Sequence, residues 1–559
     1  MSPKSTPAPH RQQAFRARLA LFAAALCPLA IWLISSGRLA RPGETAAWAL
    51  LCALLMASAP GRWMRPFAYA QLLLLPLTLA WVGAVASTGM GPSIASLESV
   101  TAGAYKEVRT ALEVVLRAPG FALTAGATLL LSAVAARLAH RQRWEADGRS
   151  GLLFLVLLLP ASAAVLDAAG LHGFARLAGP EARVSVPWLS HLEMMKASLN
   201  QLVMPGAQAR DAQPVRSALG VAPAFRTEAG VAVLIIGESL RADALLRPGR
   251  GPGSAELQRR LDDGLGVRLP DACAGGNGTF IAVPKLLTAA PAEAPPSDTH
   301  RPSLLALARA GGAKTAYINN HEIWVMPEAG HDLVQKISST ETNSYDEVAT
   351  EAVENFIRRE EGSPSLAIVL HLYGQHFFYE DRYPSGLFEP EPAPASPSEL
   401  EELRYQRAAE YGAQVLARAA RMLDGLPTPA YLVFTSDHGE NLPSDHNGKR
   451  FHAGPVNSRP DTLVPALVLW NRAFAQSGRQ YRLEALQDAT LITHHDLARA
   501  WLALLGLLTP LRIRRDPVRC LRSSGHDCDK CSRACPSRIQ VHQLIAVRSL
   551  ECTSCLGCV

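Results

Sequence analysis

The chain has 559 residues, 48% of them hydrophobic, and a formal net charge of +6. That length allows several domains, and so modest a charge excludes a general nucleic-acid binder. Long apolar runs fill roughly the first 170 residues, which excludes a wholly soluble protein.

Those runs predict about five membrane spans, at 15–36, 45–60, 67–87, 119–139 and 151–171. Each reaches or approaches the roughly 20 residues that cross a bilayer. Further spans follow the first closely and no small-residue cleavage site is evident, so the first is not a removed signal peptide. Lys4, Arg11, Arg16 and Arg18 mark the N-terminal end; Arg62 and Arg65 lie after the second span, and Arg141, Arg143 and Arg149 after the fourth. The bias places the N-terminus in the cytoplasm and, with five spans, everything beyond residue 171 on the far side. Residues 172–228 read as a connector. Within it VPWLSHLEMMKASLNQLVM is either an amphipathic helix on the membrane surface or one packed on the soluble domain.

The soluble part, 229–508, opens on Val231–Ile236, an apolar run that reads as a strand buried on both faces. Gly237, Glu238, Ser239 and Arg241 follow at once. A short helix is expected at Ala255–Asp263. In DACAGGNGTFIAVP (271–284), a Gly-rich approach precedes Thr279, which either faces an anion at a helix N-terminus or simply caps the helix. Helices are expected at Arg301–Gly311, Ser344–Glu360, Glu399–Leu423 and Ala489–Leu507. Strands are expected at Lys314–Asn319, Ser365–Leu372, Ala430–Thr435 and Leu463–Trp470. Strands alternating with helices indicate a largely parallel sheet covered on both faces.

Three of these strands end in metal-ligand types: Glu238, then His376, then Asp437 and His438, with His452 after a short polar loop. Open α/β sheets place ligands beyond the carboxyl ends of their strands. Carboxylates and imidazoles converging on one edge suit a zinc-class ion.

GESLRAD (237–243), the Thr279 loop ending in Val283–Pro284, HLYGQHFFYEDRYP (371–384), TSDHGENL (435–442) and FHAG (451–454) together resemble the bacterial phosphoethanolamine transferases. These are inner-membrane members of the alkaline-phosphatase/sulfatase superfamily, and the resemblance spans about residues 15–508. It implies that Glu238, Thr279, Asp437 and His438 hold zinc, with one or two ions in all. It also implies that Thr279 is the nucleophile, and that His376 and His452 contact the transferred phosphate or a second zinc. The implied reaction moves phosphoethanolamine from phosphatidylethanolamine to a lipopolysaccharide (lipid A or core) or glycan acceptor, on the periplasmic side of the inner membrane. The family brackets its Thr loop with a disulfide, and Gly275 and Lys285 stand at those positions here. A phosphoglycerol transferase of the same fold is the alternative. A sulfatase fits less well, since no Cys/Ser-x-Pro-x-Arg motif follows the first strand.

Residues 509–559 change character. Seven of the ten cysteines lie after residue 519. Cys27 and Cys52 sit in apolar spans, and Cys273 stands alone. Cys528, Cys531 and Cys535-Pro536 resemble the latter part of a bacterial ferredoxin motif, and Cys552, Cys555 and Cys558 its first part, which implies a [4Fe–4S] cluster. A two-cluster ferredoxin needs eight cysteines. Three readings stay open: a truncated or fused reading frame, a remnant without clusters, or a working redox module. The last makes the chain a membrane iron–sulfur electron-transfer protein.

Overall fold

The computed structural model describes residues 8–508 except 35–41, 92–111, 119, 142–152, 158–185, 188–189, 192–225, 247–250, 291–301, 322–330, 338–343, 394–395 and 455–456. The Cys-rich tail, nearly all of the connector and all but 153–157 of the expected fifth span lie outside the described residues. The chain divides into two compact units, Met1–Pro205 with Asp445–Arg450, and Gly206–Ser444 with Phe451–Val559.

The first unit is helical: α1 (Ala8–Leu26), α2 (Pro42–Ser58), α3 (Gly61–Leu73), α4 (Leu75–Thr88) and α5 (Phe121–Arg141). Among the described residues two stretches, Gln12–Ile34 and Phe121–Arg141, are long and apolar enough to cross a membrane. The third expected span is a bent pair, α3 and α4, meeting at 51°. Pro76 sits in the first turn of α4, where it donates no backbone hydrogen bond, and that accounts for the break. The second expected span has an apolar helix of 14 residues, Thr45–Ser58, shorter than a bilayer crossing. Ala17, Ala24, Ala135 and Ala139 are buried to 1% exposure or less, and such small side chains let membrane helices approach closely. Leu33, Leu73, Leu123 and Leu130 stay exposed, as lipid-facing residues do.

The second unit holds β1 (Gly230–Gly237), α6 (Pro252–Asp262), β2 (Gly266–Arg268), β3 (Ala272–Cys273), α7 (Thr279–Leu287), α8 (Leu304–Ala310), β4 (Lys314–Asn319), β5 (Leu333–Lys336) and α9 (Glu347–Arg359). After these come β6 (Ser365–His371), α10 (Pro397–Asp424), β7 (Ala430–Ser436), β8 (Leu463–Val464), β9 (Ala466–Trp470), β10 (Ile492–Thr493) and α11 (His494–Leu504). A seven-stranded sheet runs β2-β9-β7-β1-β6-β4-β5, and a small one runs β10-β3-β8. The large sheet is parallel from β7 to β5 and antiparallel at β9 and β2.

β1 is buried on both faces, as its apolar run requires. Ala232, Leu234 and Ile236 join one core with α8 and α11. Val231, Val233 and Ile235 join another with α9 and α10. Helices thus cover both sides of the sheet, and the parallel strands deliver their carboxyl ends to one edge. One expectation needs correcting. Cys273 is disulfide-bonded, so it does not stand alone; its partner lies outside the described residues.

Candidate metal centre

Sheet register assembles the centre. Ile236 of β1 lies opposite His371 of β6, Gly237 opposite Ser436 of β7, and His371 opposite Asn319 of β4. The next residues on these strands therefore meet at one place: Glu238, the loop to His376, Asp437 with His438, and Asn320 with His321. Backbone bonds continue past the strand ends, from Asp437 N to Gly237 O (3.0 Å) and from Gln375 N to Glu238 O (2.9 Å).

Ser239 adopts the left-handed region, φ 57°, a conformation unfavourable for a residue with a Cβ. Its surroundings hold it there. Ser239 N donates to Asp437 Oδ1 at 3.1 Å, and Tyr405 from α10 donates to Ser239 O at 2.8 Å. Ser239 Oγ donates to Glu238 Oε1 at 2.8 Å. Gly374 packs against the same turn. A Cβ there would fall 2.6 Å from Glu238 N, so only glycine lets the β6 loop pass.

Thr279 opens α7, with its hydroxyl donating to Glu238 Oε2 at 3.1 Å and 3.4 Å from His438 Nε2. Hydrogen bonds also clasp the loop before it. Lys285 Nζ donates to Gly275 O at 3.0 Å. Gly275 N donates to His494 Nδ1 at 3.2 Å, and His494 Nε2 lies 2.9 Å from Ser436 O. That pattern requires the neutral Nε2–H tautomer, and burial pushes His494 down to about 4. Asn277 Nδ2 donates to Gly454 O at 2.9 Å, which ties the Thr loop to the His452 loop.

Glu238, Asp437 and His438 are fully buried, Thr279 is 4% exposed, and His376 5%. His438 Nε2 is 3.3 Å from both Glu238 Oε1 and Asp437 Oδ2. Four donors about 2.0–2.2 Å from one zinc-class ion lie roughly 3.3–3.6 Å apart at the corners of a tetrahedron. Within the Glu238, Thr279, Asp437 and His438 set, the Thr279–Glu238 (3.1 Å), Thr279–His438 (3.4 Å), His438–Glu238 (3.3 Å) and His438–Asp437 (3.3 Å) separations lie near those edges. Orientation fits too. His438 Nδ1 lies 2.8 Å from Gly439 O, which leaves Nε2 to face the cluster. Asp437 Oδ1 accepts from the backbone of Ser239 and His438, while buried Oδ2 has no hydrogen-bond partner. A buried carboxylate oxygen without a donor is what a cation satisfies.

The electrostatics agree. Burial would lift the Glu238 carboxyl, but the imidazoles of His438 and His321 outweigh it and hold it well below the usual range. Burial and the Glu238 charge push Asp437 well above it. Burial also lifts Glu440, and lowers His376 and His452 so that they are neutral at pH 7. His452 Nδ1 lies 3.3 Å from Glu440, and its ring packs 4.1 Å from that of His438.

The structure therefore brings together all six residues expected in this domain. The six tail cysteines lie outside the described residues. Four further groups join the centre: Glu440, His321, His371 and Asp346. His321 was legible as a polar strand end in YINNH, and Glu440 as part of SDHGE. His371 looks like a strand residue, and Asp346 reads as an ordinary helix start.

Residues 231–507 match the sulfatase family. The structure is similar to that of the integral membrane lipooligosaccharide phosphoethanolamine transferase A (EptA) from Neisseria meningitidis, with 16% identity and a TM-score of 0.61. That match covers 89% of this chain and 97% of EptA. The periplasmic domain of EptC from Escherichia coli, crystallised as a complex with Zn, has 23% identity over 52% of this chain and 85% of that one, at a TM-score of 0.42. A stretch of 60 residues is 47% identical to "Putative electron transport protein YccM" of Escherichia coli K12; it spans 11% of this chain and 15% of that protein. The chain thus carries a sulfatase-family domain at residues 231–507, and over most of its length it shares the fold of Neisseria meningitidis EptA.

Proposed function

We propose that this protein transfers phosphoethanolamine from phosphatidylethanolamine to an envelope glycolipid or glycan, through a covalent intermediate on Thr279. The observation that carries the reading is the buried Thr279 hydroxyl at the start of α7, bonded to Glu238 and 3.4 Å from His438. The positive end of the helix faces an incoming phosphodiester. In the first step Thr279 Oγ forms a bond to phosphorus and its proton leaves. The bond from phosphorus to the diacylglycerol oxygen breaks, and that oxygen takes up a proton. In the second step an acceptor oxygen attacks phosphorus, the Thr279 Oγ–P bond breaks, and Thr279 Oγ takes up a proton to regain its hydroxyl. His376 and His452 are neutral imidazoles facing this space, suited to donate to phosphoryl oxygens or protonate the leaving group. Glu238, Thr279, Asp437 and His438 would hold a zinc-class ion, which would supply Lewis acidity that makes the hydroxyl a better nucleophile.

The N-terminal helices keep the domain on the same chain as a membrane anchor, which suits a lipid donor. The Lys/Arg pattern supports a periplasmic catalytic domain at the bacterial inner membrane. Lipopolysaccharide lipid A or core is the acceptor most consistent with the family pattern. The test is diacylglycerol release from purified protein given phosphatidylethanolamine or phosphatidylglycerol. Release from the first, lost in Thr279→Ala and after chelation, supports the proposal. Release from the second alone favours the phosphoglycerol alternative, and release from neither defeats both.

The tail has its own reading. The spacing of Cys528, Cys531, Cys535, Cys552, Cys555 and Cys558 supports iron–sulfur ligation. Anaerobic purification should then yield brown protein containing iron and sulfide. Colourless, iron-free protein rejects it.

A further inference from the structure

The mechanism above makes no use of Asp346, a buried carboxylate at the N-cap of α9. An aspartate in that position ordinarily accepts from the first turn of its own helix. Asp346 makes no such cap. Its oxygens are committed elsewhere: Oδ1 accepts from Tyr373 N and Asn320 Nδ2, and Oδ2 from Gly374 N, each at 2.8 Å. Hydrogen bonds to a charged acceptor are the stronger kind. Helix stability alone does not explain a carboxylate turned from its own helix onto the loop after β6.

That loop presents His376. It closes where His376 N donates to Tyr373 O at 3.4 Å, and Gln375 N sets it against the end of β1 by donating to Glu238 O at 2.9 Å. Tyr373 also supports the imidazole directly. The two rings are stacked, with centroids 5.4 Å apart and planes at 19°. The Arg382 guanidinium carbon lies 4.0 Å from the centre of the same tyrosine ring, a cation–π contact. Tyr373 is thus held by Arg382 at its ring and by Asp346 at its amide. Asp346, Asn320, Tyr373 and His376 are all buried, and close packing leaves such rings little room to move.

We propose that Asp346 is a positioning residue for the transfer reaction, fixing the direction of the His376 imidazole through the Tyr373 and Gly374 amides and the Tyr373 ring. The inference rests on the role given above to His376 at the phosphoryl group. A reacting group displaced by about 1 Å loses on the order of 100-fold in rate, so a carboxylate that never touches substrate can still govern turnover. Asp346→Asn keeps the shape and removes the charge. Its amide accepts at one end only, so either Gly374 N or the Tyr373 and Asn320 donors lose their acceptor.

The test is a double-mutant cycle on full-length protein in detergent, reading diacylglycerol release from phosphatidylethanolamine in the wild type, Asp346→Asn, His376→Ala and the double variant. Asp346→Asn should lower kcat by roughly 10–100-fold and leave KM within about threefold. In the His376→Ala background the same substitution should cost less than about twofold, because the group it positions is gone. An equal loss in both backgrounds overturns the proposal, and so does an unchanged kcat in Asp346→Asn. Where Asp346→Asn does not fold, Tyr373→Leu carries the cycle: it removes the ring and leaves the amide bonded to Asp346. Its loss should likewise vanish in His376→Ala, and a loss that persists there overturns the proposal. A full wild-type rate in His376→Ala is a separate failure, defeating the role given to His376 and this inference with it.

Discussion

On the proposed mechanism the chemistry turns on Thr279, whose hydroxyl donates to Glu238 and lies 3.4 Å from His438. Thr279→Ala should lower transfer by at least ~1,000-fold, the loss expected when a covalent route closes. Metal should remain bound, since Glu238, Asp437 and His438 persist, and metal analysis beside turnover checks both halves. His376 plays a different part. Its neutral ring touches Tyr373, Phe377 and His321 at the edge of the cluster. His376→Ala should slow transfer by roughly 10²–10⁴-fold, the range for a lost proton donor or acceptor, with the domain still folded. Collapse of expression would make it a packing residue instead.

Among the elements, the Thr loop and α11 depend on each other through His494. In the fold His494 is neutral, pushed by burial from 6.5 to about 4, while the unfolded chain titrates near 6.5. Its folded pKa is depressed, so the unfolded state takes up the proton first as pH falls. The stability it contributes is therefore complete above about 6.5 and lost between there and about 4. At one pKa unit per 1.36 kcal/mol, about 3 kcal/mol is at stake. The melting temperature should fall between pH 7.5 and 5, and by less in His494→Gln; an equal fall in both would show that His494 is not responsible. Lys285 supports the same loop. Lys285→Ala removes the donor to Gly275 O and should destabilise the domain by about 1–3 kcal/mol, seen in thermal melts.

The same scale shows what a sequence can reveal. β1, β6 and β7 were readable because unbroken apolar runs ending in polar residues have few other meanings. β2, β3, β5, β8 and β10 have two to four residues each, too few for any period to emerge. Leu463–Trp470 therefore read as one strand, and the closing helix as starting early; Ile492 and Thr493 instead pair with β3, and Thr493 caps α11. Glu238, Asp437 and His438 announced themselves by motif. Asp346 and His371 did not, because their importance lies in neighbours distant in sequence.

For the whole molecule, burying Glu238, Asp437 and Glu440 together is unfavourable unless a cation compensates. Chelation should consequently do more than stop turnover. A bound ion stabilises the native state in proportion to the logarithm of its concentration over Kd, so metal removal should lower the melting temperature by several degrees, and zinc should restore it. An unchanged melting curve would mean that the carboxylates are accommodated by protons alone. The membrane unit adds a requirement of its own. Gln12–Ile34 and Phe121–Arg141 are long and apolar enough to hold the chain at a bilayer, which suits the proposed lipid donor.

The most direct measurement is peptide mass spectrometry of the purified protein after incubation with phosphatidylethanolamine. The account predicts a phosphoethanolamine adduct on Thr279, with diacylglycerol released and neither product formed by Thr279→Ala. Metal-loaded protein that forms no adduct and releases no diacylglycerol would contradict it.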